Sequence, residues 1–334
     1  MKRYCIWNNK GGVGKTFLTY LLATEYAKQN PTKEIIVVDM CPQANISEIL
    51  LGGNEGQGNL EKCFEKGLTI AHYIKDRYQR GKNSLLGNET TYFVNVKQYN
   101  NNLPENLFLV PGDSELDICS GLINYLGLSP EKKAWKNSRS LLADLVSSFA
   151  NASKKEQVYF FDCNPSFSSY TELAIVASNR LIIPCTADNA SIRGIKNIFR
   201  LVYGTAEAEE SEFDQFYENA QKYNIPLPAV HRVVQNKSRS HQKNASMDFQ
   251  ASLQEIENTI LNLQSRYRGR FSDDKTEVYN IKDGNTLAAI INYTGKMLDD
   301  ITIGKHKIYD MEAQVNQDQK ELLIEDVKKL ISQL

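Results

Sequence analysis

Seven consecutive residues, Lys10-Gly11-Gly12-Val13-Gly14-Lys15-Thr16, carry the strongest chemical signal in the chain. Glycines let successive backbone N–H groups curl around phosphate oxygens, and a helix that starts directly behind them adds the positive end of its dipole. The Lys15 ammonium can then reach the β- and γ-phosphates of a nucleotide, and the Thr16 hydroxyl can hold Mg²⁺. A glycine turn that served packing alone would have no use for Lys-Thr at this place.

The elements around the loop suit that chemistry. Arg3 to Asn8 is β-prone, and Leu18, Leu21, Leu22 and Tyr26 follow the loop at helical spacing, so the order is strand, loop, helix. Ile35-Ile36-Val37-Val38 ending in Asp39, and Val158-Tyr159-Phe160-Phe161 ending in Asp162, read as parallel strands buried on both faces. Leu107–Val110, Leu181–Pro184 and Ala229–Val234 read as further strands, with helices near Leu116–Leu126 and Ser140–Ala150. Such alternation predicts an α/β fold with a doubly wound, mostly parallel sheet flanked by helices. Residues 52–104, broken by glycine and asparagine clusters around helical pieces such as Ile70–Tyr78, read as an insertion with loops. After Met247 the pattern is helical: Phe249–Leu263, Thr286–Leu298, and a last helix from Gln317 with Leu323, Val327, Leu330, Ile331 and Leu334 on one stripe. The expected organisation is one domain over residues 1–300 and a helical C-terminal extension over 301–334. That last stripe is expected to pack on the body or on a partner helix, since Glu321, Glu325 and Asp326 mix with Lys328 and Lys329 on its polar side.

Composition narrows the classes. The 334 residues carry 39 Lys plus Arg against 40 Asp plus Glu, a net charge of −1, so no global field draws the chain to nucleic acid or an anionic membrane. Hydrophobic residues at 41% and charged residues at 24% exclude a disordered chain. No apolar run approaches the roughly 18 residues of a membrane span. Met1 to Asn9 shows neither a signal nor a transit peptide, and a cytoplasmic protein without membrane contact is expected. Six scattered cysteines without a CxxC pair read as reduced thiols.

The second lysine of the loop, Lys10, stands directly before Gly11-Gly12, and Asn9 occupies the place where the common phosphate-loop pattern has its first glycine. With Val37-Val38-Asp39-Met40-Cys41-Pro42-Gln43-Ala44-Asn45, Phe161-Asp162-Cys163-Asn164-Pro165-Ser166, Val110-Pro111-Gly112-Asp113 and the Ser178–Pro184 and Ile192–Ile195 stretches, the chain resembles the ParA-like members of the deviant Walker A P-loop ATPases, a group that also holds MinD and the nitrogenase iron protein. The resemblance covers residues 1–51 and 107–200 well and the insertion not at all. It implies an ATPase that binds ATP and Mg²⁺ in an ATP-sandwich homodimer and works as a nucleotide-dependent switch. In that picture Gly11, Gly12, Val13, Gly14, Lys15, Thr16 and Phe17 bind the nucleotide. Thr16, Asp39 and Asp162 organise Mg²⁺ and water, Lys10 neutralises phosphate charge across the dimer, and Asn236 reads adenine, unless it merely caps a turn.

One departure bears on mechanism. The resemblance implies a second acid two places after Asp39, there to orient the attacking water, and Cys41 stands in its place. A neutral thiol is a poor acceptor beside a carboxylate. Slow hydrolysis is therefore expected, with Asp39 or an activating protein partner completing the site. A positive field near bound phosphate would lower the Cys41 pKa and open a redox role as an alternative. Non-specific DNA contact is implied for Lys237, Arg239 and Lys243, for Arg266, Arg268 and Arg270, and for Lys305 and Lys307. Two rivals remain at this stage: an ATP-bound scaffold or sensor that hardly hydrolyses, favoured by Cys41, and a small-molecule kinase or synthetase, which Lys10 disfavours.

Overall fold

The computed structural model describes residues 1–81, 85–205, 215–238, 247–273 and 276–334. Its main sheet is built from β1 (Lys2–Ile6), β2 (Glu34–Met40), β3 (Val94–Asn95), β4 (Leu107–Val110), β5 (Gln157–Cys163), β6 (Arg180–Cys185), β7 (Ala229–Ser238) and β8 (Val278–Lys282); β9 (Gly304–Ile308) and β10 (Met311–Val315) form a separate hairpin. The helices are α1 (Lys15–Gln29), α2 (Asn45–Leu50), α3 (Asn59–Glu65), α4 (Ile70–Arg80), α5 (Leu116–Gly127), α6 (Ala134–Arg139), α7 (Leu141–Ala152), α8 (Ser169–Ala177), α9 (Asn189–Tyr203), α10 (Gln215–Lys222), α11 (Met247–Arg266), α12 (Asn285–Thr294) and α13 (Gln317–Ile331).

The strands run in the order β3-β4-β2-β5-β1-β6-β7-β8. All neighbours pair in parallel except β3, which lies antiparallel to β4 at one edge. The central strands bury both faces, which is why they read as unbroken apolar runs. Two cores result. On one face Cys5, Trp7, Ile36, Val38, Tyr159 and Phe161 meet α4, α5, α7, α8, α9 and α11. On the other Tyr4, Ile6, Ile35, Val37, Val158 and Phe160 meet α1, α2, α12 and α13. Helices on both faces make the sheet doubly wound, as expected, and every parallel strand presents its C-terminal end to the same edge, where ligands of such sheets bind.

The structure differs from the sequence reading in three places. The stretch 52–104 holds more than the helix expected near Ile70–Tyr78, which forms α4 against the first core: β3 within it adds an antiparallel strand to the sheet. The Val278–Lys282 strand was invisible because only Ile281 is buried in it, as befits an edge position. The extension expected to be helical begins instead with the β9–β10 hairpin, whose Lys- and Gln-rich strands and Tyr309 turn at φ 51° offer no Asn-Gly signal. The last helix does pack on the body: Leu323, Val327, Leu330, Ile331 and Leu334 are all buried in the second core.

Candidate active site

The phosphate loop leaves β1 and enters α1 through Gly12 at φ 73° and Gly14 at φ 79°, left-handed conformations that a side chain would strain. Gly14 is the residue before α1, so the free N–H groups of that helix's first turn face the loop. The Lys15 ammonium is held over the loop by the carbonyls of Lys10 at 2.9 Å and Asn8 at 3.3 Å. Burial lowers its pKa, opposed by the nearby Asp162 charge. Thr16 Oγ1 donates to Asp162 Oδ2 at 2.8 Å, and Thr19 Oγ1 to its other oxygen at 3.1 Å.

Asp162 and Asp39 are register partners on neighbouring strands, and both are almost wholly buried. Burial pushes both carboxyls up, and the charge of Asp162 raises Asp39 further. Two carboxylates buried in register favour a cation, and the Thr16 hydroxyl and Asp162 would hold a divalent ion there. Among the described residues no cluster of three or more His, Cys, Asp or Glu offers an all-protein metal cage.

Asp39 is buried, and each of its oxygens already accepts a hydrogen bond. Its Oδ1 accepts from the Cys41 amide at 3.0 Å, and its Oδ2 from the Ser47 amide at 3.1 Å and the Ser47 hydroxyl at 2.7 Å. Its direct role is to fasten the start of α2 to the end of β2. The Cys41 thiol is half-buried at the pocket wall, where burial and then the Asp39 charge push it up to about 12. The direction is opposite to the lowering on which a redox role for Cys41 would draw.

A cavity of about 930 Å³ opens over these groups. Gly11, Gly12, Gly14, Lys15, Thr16 and Phe17 line one side of it, Cys41, Cys163, Asn164 and Pro165 stand nearby, and Asp117 enters from α5. A further wall was not legible in the sequence: Asn45 and Glu48 of α2, Asn54 of the insertion, Asn292 of α12 and Tyr309 of the hairpin. The Tyr309 hydroxyl donates to Asn54 Oδ1 at 2.8 Å, which ties hairpin and insertion together. No local spacing announces such a wall, because its members come from three distant stretches, 45–54, 292 and 309.

Other expected residues fall as follows. Val13 is buried, and its carbonyl accepts from Asn236 Nδ2 at 2.8 Å, so Asn236 braces the loop across the end of β7 rather than only capping a turn. The Lys10 ammonium lies within its own chain, on Asp188, on Thr186 Oγ1 at 2.7 Å and on Ser191 Oγ at 3.3 Å. Partial burial pushes the Asp188 carboxyl up, but the hydrogen bonds from Lys10, Thr186 and the Ser191 amide outweigh it and hold the group at about 2.

Among the described residues the expected basic positions are spread along β7 and its neighbours. Arg239 and Lys243 lie outside the described residues. Lys237 belongs to the C-terminal end of β7, whereas Arg268 and Arg270 precede Phe271, which bridges Val230 near the start of that strand. The two ends lie roughly 23 Å apart at the usual rise per residue. The Arg266 guanidinium lies over Tyr267, and that of Arg270 over Tyr203 and Tyr217. Lys305 pairs with Glu312 on the hairpin, at the exposed surface.

Comparison with known proteins places this geometry. The family described as an AAA domain matches residues 1–214. No curated protein matches the chain. Similar solved structures include an ATP complex of a McdA variant from Cyanothece, with TM-score 0.62 and 15% identity over 99% of this chain and 96% of that one. A plasmid partition protein from Borrelia burgdorferi is similar with TM-score 0.52 and 16% identity, covering 100% of this chain and 99% of that one. Cobyrinic acid a,c-diamide synthase from Mycobacterium smegmatis, with bound ATP analogue and magnesium, is similar with TM-score 0.54 and 12% identity over 99% and 95%. At such identities the likeness concerns the fold.

Proposed function

The chain belongs to the AAA domain family, matched over residues 1–214, and from that premise we propose that it is a ParA-like, nucleotide-dependent switch that binds ATP–Mg²⁺ in a sandwich homodimer and hydrolyses it slowly. The observation that carries this reading is the convergence of Lys15, Thr16 and Asp162 at the N-terminus of α1, beneath the cavity of about 930 Å³. Loop amides and Lys15 would neutralise the phosphates, with Phe17 beside them. Mg²⁺, when bound, would neutralise charge on the β- and γ-phosphates, held by the Thr16 hydroxyl with Asp162 and Asp39 behind it. Lys10 would leave Asp188 and reach the partner's nucleotide, acting as an arginine finger does in electrostatic terms. The neutral Cys41 thiol cannot take a water proton efficiently, and loss of a well-placed base commonly costs about 10²–10⁴ in rate.

Support for ATP comes from the ATP and ATP-analogue complexes of the similar structures. In a partition role the dimer would bind DNA non-specifically through Lys237, Arg239, Lys243, Arg266, Arg268 and Arg270, and a protein partner would accelerate hydrolysis. A second reading, an ATP-bound scaffold that hardly turns over, is favoured by the Cys41 thiol held near 12.

Size-exclusion light scattering with ATP–Mg²⁺, ADP or no nucleotide, with phosphate release read in the same samples with and without DNA, tests these readings together. A dimer that forms only with ATP, with slow phosphate release, is the expected result. A monomer throughout, or a dimer indifferent to nucleotide, overturns the sandwich. A stable ATP dimer without any phosphate release selects the scaffold.

A further inference from the structure

The motif expected to activate water holds a thiol at Cys41 where a carboxylate would serve, and its buried Asp39 is turned onto its own backbone, accepting from the Cys41 amide and from the Ser47 amide and hydroxyl. The cavity nevertheless receives a carboxylate from a different element, Asp117 in the first turn of α5.

The placement of Asp117 follows from the turn between β4 and α5. Gly112 packs so tightly on the Asp39 motif that a Cβ there would lie 2.9 Å from Asp39 Cγ and 3.0 Å from the Cys41 carbonyl oxygen. Its amide donates to Ser47 Oγ at 2.9 Å. The glycine thus lets the turn press against the backbone of Cys41, and the helix that follows brings Asp117 into the same cavity. There the carboxylate is oriented from behind. Asn164 Nδ2 donates to the Tyr170 hydroxyl at 2.7 Å, and that hydroxyl donates to Asp117 Oδ1 at 3.3 Å. Asn164 is itself fixed, since its Oδ1 accepts from the Ser166 amide and hydroxyl. Tyr170 is buried. The chain Asn164–Tyr170–Asp117 therefore links the carboxylate to the segment directly after Asp162, on the cavity side occupied by Asn164 and Pro165. Glu48 also lines the cavity, from α2.

We propose that Asp117 is the water-orienting carboxylate of this ATPase, standing in from α5 for the acid that Cys41 lacks, with Tyr170 as its positioning residue. The inference rests on the ATP-hydrolysing reading above. In the step, the water oxygen bonds to the γ-phosphorus while the bond from that phosphorus to the β–γ bridging oxygen breaks. The electron pair of that bond leaves with ADP. One water proton passes to an Asp117 oxygen and from there to the released phosphate, so the carboxylate is regenerated.

Single-turnover and steady-state hydrolysis by the wild type, Asp117→Asn, Tyr170→Phe, Glu48→Gln, Cys41→Asp and the Cys41→Asp/Asp117→Asn pair test the assignment, with ATP binding and ATP-dependent dimerisation measured on each. Asp117→Asn is expected to lower kcat by about 10²-fold with KM for ATP nearly unchanged. Tyr170→Phe should cost roughly a tenth of that factor. Cys41→Asp should hydrolyse faster than the wild type, and Asp117→Asn should then cost less than about 3-fold in that background. A wild-type rate kept within about 3-fold by Asp117→Asn, or a loss specific to Glu48→Gln, overturns the proposal. A wild type that binds ATP and dimerises yet releases no phosphate overturns it while sparing the ATP-switch reading. Absence of ATP binding removes both.

Discussion

Replacing Asp188 by Asn should make the ATP-dependent dimer tighter, because Lys10 in the monomer is held by a group that competes with the partner's phosphate. The Lys10–Asp188 pair is partly exposed, with side-chain exposures of 24% and 44%, and Thr186 and Ser191 complete its ring of contacts. Partly exposed pairs of this kind contribute about 0.5–1 kcal/mol. A two-fold dimer must open two such contacts, so about 1–2 kcal/mol of assembly energy is at stake, or roughly a 5- to 30-fold change in the dimer dissociation constant. Asparagine is the informative replacement. Asp188 caps α9 by accepting from the Ser191 amide at 2.9 Å, and Asn caps as well as Asp, so the ion pair is cut while the helix start is kept. A pH change would not do this job, since a carboxyl held at about 2 stays charged throughout the usable range. Sedimentation equilibrium with ATP–Mg²⁺ over a series of protein concentrations measures the constant, with Tm of the nucleotide-free monomer as the control. An Asp188→Asn dimer no tighter than the wild type, at unchanged Tm, would refute the competition argument.

Two further outcomes follow from the buried chemistry. His231 is buried against Ser272 and the Gln333 carbonyl, and burial, then the neighbouring Arg232 and Arg180 charges, lowers its pKa to about 4, with Asp273 acting the other way. A histidine kept neutral by the fold stabilises it fully above pH about 6.5 and loses that contribution as pH falls through about 4, up to about 3 kcal/mol. Urea midpoints between pH 7.5 and 5 should therefore fall more steeply for the wild type than for His231→Gln, and parallel curves would contradict the assignment. Gly112→Ala places a methyl 2.9 Å from Asp39 Cγ, beside backbone that cannot swing away. It should cost about 1–3 kcal/mol of stability, and weaken ATP binding by displacing the Cys41 wall, both read from thermal unfolding with and without ATP–Mg²⁺.

How much of this was legible depended on how local each signal was. The strands of the sheet centre announced themselves because burial on both faces demands unbroken aliphatic runs such as Ile35–Val38. The phosphate loop did so because its chemistry is contained in consecutive residues, Lys10 to Thr16. Edge strand β8 and each strand of the β9–β10 hairpin bury a single residue, the rest being half-buried or exposed, and their polar residues left no period to read. The hold on Lys10 was hidden because its partners stand at 186, 188 and 191, and only the pairing of β1 with β6 brings them beside the loop. Asp117 was hidden in the same way, behind a turn whose closeness to Cys41 depends on a missing Cβ at Gly112.

These hidden contacts bear on separate halves of the proposed cycle. The Asp188 contact opposes assembly, because it must break before Lys10 can serve a second subunit. The Cys41 thiol opposes disassembly, because hydrolysis must find its base elsewhere. A switch with both features would assemble only when ATP repays the broken ion pairs and would then persist, its lifetime set by how well Asp117 orients water through Tyr170 and Asn164. The two controls are separable by mutation: Asp188→Asn should shift the dimer constant at fixed turnover within the dimer, and Asp117→Asn should shift turnover at a fixed dimer constant. Were both variants to move both quantities together, assembly and chemistry would share one structural element, and the independence argued from the separate contacts of Lys10 with Asp188 and of Asp117 with Tyr170 would fail.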